Sequence, residues 1–204
     1  MIGRRALQKE RRRTDMLSSA AYLFERQGYA CTTFDEIAAR AGVGVATVYK
    51  YFNSKQGIVI ALLEPDLKNM LARARRIVER PHADPAKSMV ALLSVYRNLG
   101  GRDWAARELL RLTVFPGIGN EGLLTELIRE AESQTRAQIH ELLKIHRDAS
   151  RLKRGLPLAD ATAVVFALLN QHFAMYLFDS NVSFAQIFRR LARCVHLVFV
   201  DWHR

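Results

Sequence analysis

The sequence predicts an all-α chain in two parts, a compact three-helix unit over residues 1–55 followed by antiparallel helices over residues 56–204. Apolar residues recur three and four apart along nearly the whole chain, the period of a helix buried on one side. No stretch alternates apolar and polar residues as a half-buried strand does. Breakers punctuate the pattern at "NLGGRD", "FPGIGNEG", "KRGLP" and "DSNVS", so the segments fold back on one another. With 204 residues, half of them apolar, there is material for a real core.

Met16, Ala20, Leu23 and Phe24 set the stripe of the first helix, which ends near Gly28. Thr33 with Glu36 three residues on is a capping box, in which hydroxyl and carboxylate each take a backbone N–H left free at a helix start. A second helix therefore begins at Phe34, and Gly42 stops it. A third runs over 45–52, and Asn53 or Ser54 caps a fourth that starts at Lys55. That helix reaches about residue 80 with a bend at Pro65, and the prolines of "RPHADP" end it. Further helices are expected at 85–99, 102–114, 120–150, 158–179 and 183–203.

Thirty-one Lys and Arg against 20 Asp and Glu leave a net charge of +11, which suits a polyanionic partner. Residues 1–55 hold ten of these cations against five acids, a net of +5, so the excess is densest in the first unit. Cys31 and Cys194 stand far apart and form neither a disulfide framework nor a metal motif, which fits a reducing cytoplasm. The basic N-terminus lacks the apolar core of a secretory leader, and no run reaches the roughly 18 to 20 apolar residues of a membrane span. Catalysis finds no footing, because HExxH, CxxC, GxSxG and a phosphate-cradling glycine loop are all missing. His140 and His146 lie six apart, off the spacing that pairs two ligands on a helix, so neither a metal nor another cofactor is expected.

The stretch "GVGVATVYKYF" separates into two helical faces. Val48 and Phe52 turn toward Phe24, Phe34, Ile37 and Ala38, while Val45, Ala46, Tyr49 and Lys50 turn outward. Two small side chains between a phenol and an ammonium let a backbone approach a DNA major groove, with the longer groups reaching phosphates. Two helices joined by "AGVG", with a third behind, make a helix-turn-helix whose second helix enters that groove. Lys55, at a helix start beside free backbone N–H groups, is placed for an anion. Arg4, Arg5, Lys9, Arg11, Arg12 and Arg13 form a basic arm that tracks phosphates, enters a minor groove or serves as a solubilising tail.

The stretch "AAYLFERQGYACTTFDEIAARAGVGVATVYKYFNSK" resembles the N-terminal domain of the TetR family of transcriptional regulators over about residues 16 to 60. Its pieces are Leu23 and Phe24 before Gly28 and Tyr29, then Thr32, Thr33 and Phe34, Ile37 and Ala38, Ala41 to Val43, and "ATVYKYF" with "SK". The resemblance implies a homodimeric repressor whose C-terminal helices bind a small molecule that releases a double-stranded DNA operator. By position it puts Thr33, Thr47, Tyr49, Tyr51 and Lys55 on the DNA backbone and Val45 and Ala46 toward the bases. The chain departs from the family at Gly44 and Val45, where members often carry Ser and then Lys, Arg or Gln.

In the second part, "ADATAVVFALLNQHFAMYLFD" is apolar on nearly all sides and "FAQIFRRLARCVHLVFVDW" on one. These helices complete a protomer's own core or, as the resemblance implies, form a four-helix dimer interface. Asn170, Gln171 and His172 interrupt the apolar helix and need partners from backbone, water, a second subunit or a ligand. A ligand cavity would draw on Met70, Met89, Tyr96, Trp104, Phe115, Asn170 and Phe173, and its apolar walls favour a hydrophobic or mildly polar effector. A different class of function stays open: a helical small-molecule-binding protein with only nonspecific nucleic-acid binding.

Overall fold

The computed structural model describes residues 3–95, 123–179 and 181–203. Among these the chain forms α1 (Arg4–Cys31), α2 (Phe34–Ala41), α3 (Val45–Phe52), α4 (Lys55–Glu79), α5 (Pro85–Ser94), α6 (Leu123–Asp148), α7 (Leu158–Phe178) and α8 (Phe184–Trp202). No strand occurs among the described residues beyond an isolated bridge between Leu152 and His203. The helix expected at 102–114 lies outside them. The chain separates into two compact units, divided within α4 between Asp66 and Leu67 and again within α6 between Ile128 and Arg129.

In the first unit α1 packs on α2 and α2 on α3. Met16, Ala20, Phe24, Phe34, Ile37, Ala38, Val48 and Phe52 form the shared core, extended by Ile58 and Val59 of α4. Gly28, at φ 82°, breaks α1 just before its end, a backbone state that glycine enters without penalty. The Thr33 cap forms as expected: Glu36 N–H donates to Thr33 Oγ1 at 3.2 Å and Thr33 N–H to Glu36 Oε2 at 2.8 Å. Three donors converge on that carboxylate, the Thr33 backbone and the Gln27 amide foremost, and hold its pKa below the usual value. Of the two candidate caps of α4, Ser54 makes the capping bond and Asn53 closes α3. Asn53 makes the left-handed corner at φ 57°, and Ser54 Oγ accepts from Gly57 N–H at 3.1 Å.

In the second unit α7 packs along α8, and α5 packs on α8. Asp84 caps α5 by accepting from Lys87 N–H at 3.0 Å, and Pro85 takes the first helical position, where no N–H is needed. Ser183 and Gln186 form a second capping box at the start of α8. By length and composition alone α7 is long and apolar enough to cross a membrane, with a mean hydropathy of 1.4, contrary to the reading that no run qualifies. Its Leu158, Ala161, Val165, Phe166, Leu169 and Leu177 are buried inside the unit, as in a core helix.

His146, in the last turn of α6, is 1% exposed, and neither ring nitrogen has a hydrogen-bond partner. Burial and then the Arg151 charge push its pKa from 6.5 down to about 4; Asp84 opposes, while His203 and His82 add to the depression. An imidazole that stays neutral when folded binds its proton in the unfolded chain first. Stability should therefore fall as pH drops below about 6.5, level off below about 4, and lose on the order of 3 kcal/mol across that window. Denaturant melts of wild type and His146→Leu at neutral and mildly acidic pH check this. The difference in acid sensitivity should vanish in the variant, and an unchanged slope would sink the assignment.

Candidate nucleic-acid interface

The two faces of α3 sort as the periodicity predicts. Val48 and Phe52 are buried, Ala46, Tyr49 and Lys50 are exposed, and Val45, Thr47 and Tyr51 are half-buried. Tyr49 remains 53% exposed, yet its ring meets Phe34 edge-on at 4.3 Å between centroids. That contact holds one edge of the ring against the core while more than half of the side chain stays open to a partner. Gly42, at φ 65°, directs its N–H to the carbonyls of Ala38 and Ala39 and so ends α2 one short turn before α3.

Two residues expected on a phosphate are engaged inside the chain. Thr33 Oγ1 accepts from Glu36 N–H and donates to Glu36 Oε2 at 3.0 Å, so its one proton is used in the cap. Lys55 Nζ donates to the carbonyl oxygens of Tyr29 at 2.9 Å, Ala30 at 3.1 Å and Thr32 at 3.1 Å. Those bonds use all three ammonium protons, and the nitrogen also lies 4.7 Å from the centre of the Tyr29 ring. In this arrangement the Lys55 ammonium faces carbonyl oxygens of the chain rather than an open anion site. The end of α1 leaves carbonyls without helical partners, and the fold brings them to this lysine from more than twenty residues away.

The basic arm is not an extended tail: α1 begins at Arg4. Among the candidate effector residues, Met70 and Met89 are buried core, and Phe173 is half-buried with its ring 6.4 Å from Tyr176. Tyr96, Trp104 and Phe115 lie outside the described residues. Asn170 is exposed. The buried member of that trio is His172, whose Nδ1 lies 2.7 Å from the Leu168 carbonyl and whose Nε2 faces Cys194 Sγ at 3.9 Å.

Gln138 of α6 escaped the sequence reading. Its Nε2 donates to the Leu71 carbonyl at 3.0 Å, while its buried Oε1 has no partner. The signal was present, because Ala131, Thr135, Gln138 and Leu142 occupy one buried stripe and glutamine interrupts it. Among the described residues no group of three His, Cys, Asp or Glu could hold a metal ion.

Comparison with known proteins matches residues 16–62 to the family model of bacterial regulatory proteins, tetR family. The transcriptional activator FasR of Mycolicibacterium smegmatis is 34% identical over 70 residues, which cover 34% of this chain and 32% of that protein. The chain thus spans about a third of the length of the curated relatives it matches first. Solved structures extend the likeness in fold across both units. The complex of SmeT, a multidrug efflux pump repressor of Stenotrophomonas maltophilia, with triclosan superposes at a TM-score of 0.74 and 19% identity, covering 95% of this chain and 92% of that one. The regulator FadR of Bacillus subtilis bound to stearoyl-CoA gives 0.72 and 17%, covering 93% and 99%.

Proposed function

We propose, from the match of residues 16–62 to the model of bacterial regulatory proteins of the tetR family, that this chain is a TetR-family regulator and a cytoplasmic repressor. It acts as a homodimer that holds a pseudo-palindromic operator with one α3 from each protomer and lets go when a small molecule binds its C-terminal helices. The observation that carries the reading is the division of α3: a buried face of Val48 and Phe52 on a helix packed against α2, and an exposed face of Ala46, Tyr49 and Lys50. Val45 and Ala46 bring small apolar groups to the bases, where thymine methyls are their natural partners. Tyr49, Lys50, Thr47 and Tyr51 take the flanking phosphates.

A second copy of the chain suits the α7–α8 surface. Leu197 and Val200 of α8 are 71% and 70% exposed, and Val164 and Phe178 of α7 are exposed as well. A two-fold pairing of these helices would bury them and set the spacing of the reading heads. The effector is hydrophobic or mildly polar; among the neighbouring structures, triclosan and the acyl chain of stearoyl-CoA are of that kind, whereas the coenzyme A part of the latter is highly charged. It weakens DNA binding by favouring a dimer whose heads no longer match the half-sites, and DNA weakens effector binding by the same factor.

The test is fluorescence anisotropy with DNA from upstream of the coding region against a shuffled duplex, across a salt series. A preference of about a thousandfold or more is expected. Equal, salt-steep binding to both duplexes would instead support a helical small-molecule binder with nonspecific nucleic-acid affinity.

A further inference from the structure

The basic residues that precede the family-matched segment are built into α1 rather than hung from it. Twelve residues of this helix, 4–15, lie ahead of the matched segment, a rod of about 18 Å at 1.5 Å per residue. From Met16 onward one side of α1 is buried core, with Met16, Ala20 and Phe24 on it. Counting back from Met16, the same side is continued by Arg12, Lys9 and Arg5, four, seven and eleven residues earlier, with Arg13 beside them. The stripe that is apolar where α1 packs against α2 is therefore cationic where α1 runs on past the core. Arg5, Lys9 and Arg12 are all exposed, and Arg13 stands 4.0 Å from the Glu10 carboxylate, one turn before it.

This stripe is unfavourable for the free protein. Gly3 offers no side-chain cap and the first turn contains no acid, so Arg4 and Arg5 sit at the positive end of the helix dipole. Six cations within 4–15 face only Glu10 and Asp15. An anionic partner would relieve the repulsion among the cations and complement the dipole, which a solubilising surface does not require.

We propose that Arg5, Lys9 and Arg12, with Arg13 beside them, form a phosphate-tracking rail for double-stranded DNA that flanks the sequence held by α3. The proposal rests on the DNA-binding reading above and adds a second, sequence-independent contact to it. A regular helix does not thread a minor groove as an extended arm does, so the rail lies along the backbone and lengthens the site without adding discrimination.

The experiment uses the full-length chain with Arg5, Lys9 and Arg12 all changed to Gln, a control with Arg4 and Arg11 changed to Gln on the other side of α1, and a duplex that extends beyond both half-sites. Anisotropy across a salt series reads the number of phosphates engaged. The slope of log K against log salt should fall by up to about 3 per protomer in the triple variant, at roughly 0.9 per contact. Helix content and melting temperature should stay at wild-type values, and the control should lose less slope than the triple variant. Wild-type binding with an unchanged slope in the triple variant overturns the rail and leaves the DNA reading standing. Wild type that binds no duplex overturns both. An unchanged DNA slope with lost binding to phosphatidylglycerol vesicles would reassign the stripe to a membrane surface.

Discussion

Gly57→Ala should destabilise the first unit by about 2 to 4 kcal/mol, against the usual sense of that substitution in a helix. Alanine is the better helix former by about 1 kcal/mol, so propensity alone predicts a gain. At Gly57, however, a Cβ would overlap the carbonyl oxygen of Phe52 and stand 3.1 Å from its carbonyl carbon. Both atoms are backbone in the last turn of α3, so no side chain can swing aside. Relief requires α4 to move off α3, which also strains the Ser54 cap on Gly57 N–H. Thermal melts followed by circular dichroism, with duplex binding measured on the folded fraction, check the prediction. A melting temperature equal to or above that of wild type would show that the corner yields freely.

Lys55 carries the second large effect, and two substitutions separate the roles open to it. As a cage cation bonded to the Tyr29, Ala30 and Thr32 carbonyls, it cannot be replaced by arginine, whose planar fork does not point three donors at one converging set of oxygens. Lys55→Met and Lys55→Arg should then both lower stability, by about 2 kcal/mol. DNA affinity should fall in both through displacement of the α1–α2 corner, with the salt slope unchanged. A phosphate contact predicts the opposite pattern: Arg retains affinity, and Met reduces the slope by about 1. Retained binding by Lys55→Arg with wild-type stability would restore the phosphate role.

Much of the first unit was legible because its rules are short-range. The Thr33–Glu36 box, the Gly42 stop, the start of α4 at Lys55 and the inward turn of Val48 and Phe52 each depend on residues within one or two helical turns. The same logic placed the breaks around "RPHADP" and the starts of α5, α7 and α8. It failed where a side chain's meaning comes from another element. Nothing short-range tells that Asn170 is exposed and His172 buried, because a helix apolar on nearly all sides does not announce which side faces out.

Among the described residues the sequence by itself determined which segments are helices, where most of them start, and which face of α3 turns away from the core, because period and capping are written in neighbouring residues. Tertiary structure alone decided that Lys55 is spent on the end of α1, that position 57 has no room for a methyl, and that His146 and Gln138 are buried with unmatched polar atoms. Each of those outcomes depends on carbonyls or apolar surface delivered by the packing of the chain, and helical periodicity carries no record of which residues will arrive there.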